Sequence, residues 1–164
     1  MAINLRRALG ALAATSIMLT GAIVAAAPAS VAAPAIPTMT GIRTGQNTGF
    51  DRVVLDLTAG PAPAARYDLV DELIADGSGE IVWLTGEFFI AVTATPAAAH
   101  DDAGNPTYPG PQKFRTRNLR NVMAVAVTGD YEGTLSIGLG VRSRTAVTVF
   151  TLTSPNRVVI DVRH

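Results

Sequence analysis

The stretch Arg52-Val53-Val54-Leu55-Asp56-Leu57 returns near the far end of the sequence as Arg157-Val158-Val159-Ile160-Asp161-Val162. Six positions match by identity or by exchange of one branched aliphatic residue for another. Side chains alternate between the two faces of an extended chain. Each copy therefore gathers Val, Leu and Ile on one face and Arg, Val and Asp on the other. If the copies lie antiparallel as neighbours with Val54 facing Val159, Arg52 falls opposite Asp161 and Asp56 opposite Arg157, two ion pairs flanking an exterior apolar pair. The opposite faces, Val53, Leu55 and Leu57 with Val158, Ile160 and Val162, then form one piece of core. Two alternatives stay open: matching places in opposite sheets of a pseudo-symmetric sandwich, and chance recurrence in a Val-rich chain.

Outward from this pair the chain keeps the period of strands, with β-branched runs separated by Gly, Pro, Asn and Asp. The pattern predicts strands over residues 50–58, 67–75, 80–84, 87–95, 120–128, 134–141, 145–153 and 157–163. Turns are expected at Asp76-Gly77-Ser78-Gly79, Gly129-Asp130 and Ser154-Pro155-Asn156. About eight strands at this spacing define an all-β fold, an antiparallel β-sandwich with a barrel as the alternative. Thr134, Ser136, Gly138 and Gly140 alternate with Leu135, Ile137, Leu139 and Val141, which predicts one wet and one buried face. Residues 122–127 are apolar on both faces and should be central. One helix competes, over 70–75, where Leu69, Val70, Leu73 and Ile74 have helical spacing.

At the other end, Arg6-Arg7 precede an uncharged apolar run over 8–27, a basic region followed by a signal-type hydrophobic region. Cleavage is expected after Ser30-Val31-Ala32, with Ala27-Pro28-Ala29 as the second choice. An uncleaved anchor is the rival reading, and Arg6-Arg7 also admits twin-Arg export. Of the 164 residues, removal of 1–32 leaves 132, with eleven basic residues against thirteen acidic ones and a net charge of −2. Residues 33–48, rich in Pro, Ala, Thr and Gly, read as a flexible lead-in to a domain over 49–164. The nine aromatic residues all lie in the mature part, enough with Val, Ile and Leu for one core.

Gly41-Ile42-Arg43-Thr44-Gly45, the run from Phe50 to Leu57, Asp76-Gly77-Ser78-Gly79, Ala97-Ala98-Ala99-His100-Asp101, Pro106-Thr107-Tyr108-Pro109-Gly110 and the closing Pro155 to Val162 together resemble the AMIN-like domain of secreted actinobacterial proteins. The resemblance runs over most of residues 41–164. AMIN domains proper are small β-sandwiches attached to cell-wall amidases and secretins, which they localise to the envelope. The resemblance implies a β-sandwich binding or targeting module standing without an amidase, with peptidoglycan or another envelope component as its partner.

The chemistry points the same way. The chain has no Cys, which excludes disulfides, thiol catalysis and thiolate metal sites. Lys+Arg and Asp+Glu are 13 each, so no positive field favours nucleic acid. HExxH, GxSxG, GxGxxG and P-loop spacings are absent, and no cofactor is expected. His100-Asp101-Asp102 offers a thin metal set, better read as a turn. Asp68, Asp71, Glu72, Asp76, Glu80 and Glu87 contain possible glycosidase pairs but read as a solvated acidic face. The long loop over 96–111 is either functional or a cover for the core. Lys113, Arg115, Arg117 and Arg120 follow it, and with Tyr108 form the candidate ligand site, Tyr stacking on a sugar ring and Arg holding carboxylates. Alternatively these cations pair with the acidic face of the same molecule. The expected protein is a non-catalytic, secreted or envelope-located binding module without a membrane span after cleavage. A protein-binding module without glycan affinity is the second expectation and a secreted hydrolase the third.

Overall fold

The structure, a computed structural model, describes residues 35–164. The expected signal segment and its cleavage site lie outside the described residues. The strands are β1 (Met39–Asn47), β2 (Phe50–Leu57), β3 (Ala64–Val70), β4 (Phe88–Thr95), β5 (Lys113–Arg115), β6 (Val122–Tyr131), β7 (Thr134–Val141), β8 (Val147–Leu152) and β9 (Arg157–Arg163). They form two antiparallel sheets, ordered β1-β2-β9-β8 and β3-β4-β7-β6-β5. The fold is an all-β sandwich, as the strand period predicts.

The repeated segments are β2 and β9, and they pair directly: Val54 faces Val159, Arg52 faces Asp161 and Asp56 faces Arg157. Val53, Leu55, Leu57, Val158, Ile160 and Val162 are all buried and pack against Ile90, Val92, Leu135, Ile137 and Leu139 of the larger sheet. At roughly 1.5–3 kcal/mol for each fully buried aliphatic side chain, this face is a principal source of stability. One of the two expected ion pairs forms. Arg52 Nε and Nη2 donate to the two carboxylate oxygens of Asp161 at 2.7 Å each. Asp56 instead receives Arg43 of β1, at 2.6 Å to each oxygen. Gly41, the residue opposite Asp56 in β1, has no side chain to block that reach.

Four expectations change. Residues 39–47 are not a lead-in but β1, an edge strand whose Met39 is fully buried. Residues 80–84 form no strand, and the strand expected over 67–75 runs instead over 64–70, leaving 71–75 neither strand nor helix. Both belong to the long β3–β4 connection, where Ile74 and Ile81 meet in a single bridge. This connection is a strap across the outer face of the larger sheet, so Ser136, Gly138 and Gly140 are buried rather than wet. Leu73 sits over Gly138, where a Cβ would lie 2.6 Å from Leu73 Cδ1. The backbone of Thr85 passes so close over Gly140 that any side chain there would collide with it.

Candidate functional site

The strap, residues 71–87, is pinned along its length. Asp76 N donates to Thr128 O at 3.0 Å, Glu87 N to Val141 O at 2.8 Å, and Val82 N to Leu73 O at 2.7 Å within the strap. Buried Leu73 anchors it near its start. What the strap carries outward is Trp83, 78% exposed. Lys113 and Arg115, opposite Ala126 and Ala124 on β5, project on the same outer face of the sheet. Lys113 Nζ donates to Trp83 O at 2.9 Å. Trp83, Leu84, Thr85, Lys113, Phe114, Arg115 and Ala124 line a hollow of about 340 Å³. On its other side Trp83 borders a hollow of about 180 Å³ lined by Asp71, Glu72, Leu73, Ile81, Val82, Leu84 and Phe89. The ring thus stands as a ridge, with two cations on one flank and two acids on the other.

The five sequence-derived site residues separate. Tyr108 is 7% exposed and belongs to the core. Burial pushes its hydroxyl above the usual phenol range, and its ring offers no face to a sugar. The loop that carries it closes one end of the core: Ala97, Ala98 and Ala99 are buried beside it, and Thr107 Oγ1 donates to Met39 O at 2.8 Å. Lys113 and Arg115 meet Trp83. Arg117 is exposed between them and Arg120. Arg120 lines a different cavity, with Gln46, Asn47, Thr48, Gly49 and His164.

None of the four cations is ion-paired with an acid among the described residues. In the acidic stretch the ion pair is Asp71 with Arg144, at 3.1 Å, and all six acids are exposed. His100 Nδ1 lies 2.6 Å from Asp130 Oδ2. Asp101 is occupied by the loop itself, accepting from Ala103 N, Asn105 N and Asn105 Nδ2. No group of three metal-binding side chains gathers among the described residues.

Trp83 is the residue that sequence reasoning missed. As one aromatic of nine in a β-rich chain it counted toward the core. The available signal was its setting, as the sole tryptophan in a four-residue apolar run between the turn at 76–79 and Gly86.

The family model of the AMIN-like domain matches residues 37–164. This chain belongs to the AMIN-like domain family. The match opens two residues before β1. No curated protein and no solved structure matches the chain. In this AMIN-like domain no helix among the described residues is long and apolar enough to cross a membrane.

Proposed function

We propose that this AMIN-like protein is an exported, non-catalytic module that binds the cell envelope, with peptidoglycan as its ligand. AMIN-like domains are cell-envelope-associated modules, and the basic region and apolar run over 6–27 supply an export signal. The observation that carries the reading is Trp83, held out by a pinned strap beside Lys113 and Arg115. An indole face stacks on a sugar ring, and the adjacent cations attract the carboxylates of peptide stems. Holding the ring on a braced element lowers the ordering cost of binding. Ile74 and Ile81, about half exposed on the same strap, favour a second reading in which the ridge packs against a protein.

Pull-down with insoluble peptidoglycan sacculi separates the two. The protein is expected in the pellet at low and moderate salt, with Trp83→Ala left in the supernatant. Wild-type protein that stays in the supernatant at both salts rejects the glycan reading. Because the chain has one tryptophan, its emission reports this site alone and should shift when soluble glycan fragments are added. Export predicts a mature N-terminus at or near Ala33. N-terminal sequencing of envelope or supernatant material tests that, and an intact Met1 refutes cleavage.

A further inference from the structure

We propose that the polar cavity at the β1–β2 end of the sandwich is a carboxylate-binding site in which Arg120 is the recognition fork. The cavity holds about 540 Å³, within the range of small-ligand sites, and is lined by Gln46, Asn47, Thr48, Gly49, Arg120 and His164, with no Asp or Glu among them. Arg120 is held from two sides. Its backbone N donates to Asp51 Oδ1 at 3.2 Å, and the next two amides, Asn121 N and Val122 N, donate to Asp51 Oδ2 at 2.6 and 2.9 Å. Asp51 is fully buried. The Arg120 carbonyl accepts from Arg142 Nε at 3.2 Å.

The side chain is fixed as well. With the Gln46 amide oriented to satisfy both of its ends, Gln46 O accepts from Arg120 Nε at 2.9 Å and its nitrogen donates to Asn118 O at 2.9 Å. That leaves the two terminal guanidinium nitrogens of Arg120 without a partner among the described residues. A guanidinium held at Nε presents its terminal N–H groups in the fork geometry that matches a carboxylate. One permanent positive charge complements one negative charge. The rest of the lining is amide, hydroxyl and glycine, suited to the neutral polar groups beside a carboxylate. The His164 ring is turned inward, with Nε2 3.6 Å from Asp51 Oδ1 and the side chain nearly buried, so this residue meets the opening through its main chain, and no ion pair joins it to Arg120. The site is separate from the Trp83 ridge and does not depend on its ligand.

Two sources share this chemistry, the terminal carboxylate of a short peptide and the carboxylate of an acidic sugar. The test is an NMR titration of the purified protein with N-acetyl-alanyl-alanine, its C-terminal amide, and glucuronate. The amides of Gln46, Asn47, Thr48, Gly49 and Arg120 are expected to shift with an acid and not with the amide. A response to the dipeptide acid alone assigns a peptide terminus, and a response to glucuronate alone assigns an acidic sugar. Arg120→Lys keeps the charge but loses the fork and should weaken the response at least about tenfold, as should Arg120→Gln, with an unchanged Trp83 emission showing the fold intact. The proposal is overturned if acid and amide shift these resonances equally, if neither acid acts up to about 50 mM, or if both Arg120 variants respond like wild type. Preferential binding of inorganic phosphate overturns the carboxylate assignment.

Discussion

Arg52 shows how one residue joins the two copies of the repeat. Its guanidinium is bidentate on Asp161 and lies over the rings of Phe50 and Phe150, 5.1 and 5.8 Å from their centroids. The Asp161 side chain is 17% exposed, whereas the Arg43–Asp56 pair is open, with Arg43 at 61%. Solvent screens an open pair far more. Double-mutant cycles in urea are expected to give a coupling of about 1 kcal/mol for Arg52–Asp161 and less than about half that for Arg43–Asp56. Equal couplings would show that burial and the flanking rings add nothing. Asp101 makes a second case. The Asn105 side-chain amide, then the backbone N–H groups of Asn105 and Ala103, hold its carboxyl below the usual carboxylate range. A depressed folded pKa means the loop interaction is present at neutral pH, above the unfolded value, and is lost as pH falls through the folded value. Carboxyl NMR is expected to give Asp101 a midpoint below about 3.9, the ordinary Asp value. A midpoint at or above that value would contradict the turn geometry.

Among the elements, the strap is the one whose packing bears most directly on the site. It lies on a floor of Gly138, Gly140, Ala124 and Ala126, and only such small residues let a backbone approach a sheet this closely. Gly140→Ala places a methyl against the Thr85 carbonyl, backbone that has no rotamer in which to retreat. The strap must then lift, at a cost of about 1–3 kcal/mol typical of overpacking. Thermal unfolding should show the loss, and Trp83 emission should shift with it. A variant as stable as wild type with unchanged emission would mean that the strap does not rest on β7. The end opposite the Tyr108 loop is closed differently, by buried Asn121, whose Nδ2 donates to Ser143 O, Thr145 Oγ1 and Arg163 O and whose Oδ1 accepts from Arg142 N and Ser143 N. That network keeps the neighbourhood of Arg120 rigid.

For the molecule as a whole, the basic segment after the Tyr108 loop separates binding from folding. Lys113, Arg115, Arg117 and Arg120 are exposed, and no acid among the described residues pairs with them. Changing Lys113, Arg115 and Arg117 to Gln should lower sacculus binding and its salt dependence while moving stability by less than about 1 kcal/mol. Unaltered binding would remove these cations from the ligand surface. A large fall in melting temperature would show that they serve the fold instead.

Much of this was legible because strand periodicity is a local property. The bounds of β7 and β9, the interior face of the repeat and the Arg52–Asp161 pair all follow from alternation plus one register, and the pairing of β2 with β9 bears that register out. The edge strands β1 and β5 were not legible. An edge strand buries little, so β1 shows only Met39 and Ile42 turned inward among polar residues and glycines, and its sequence resembles a linker. Arg43 therefore took Asp56 from the partner expected for it. Exposure is likewise set by what arrives from elsewhere in the chain. Gly138 and Gly140 face outward in alternation, yet the strap covers them, and the residue it lifts away from the core is the tryptophan that composition alone would bury. Periodicity along one segment tells which side chains share a face. Only the tertiary structure decides whether a distant segment covers that face, because burial depends on neighbours that no local pattern encodes.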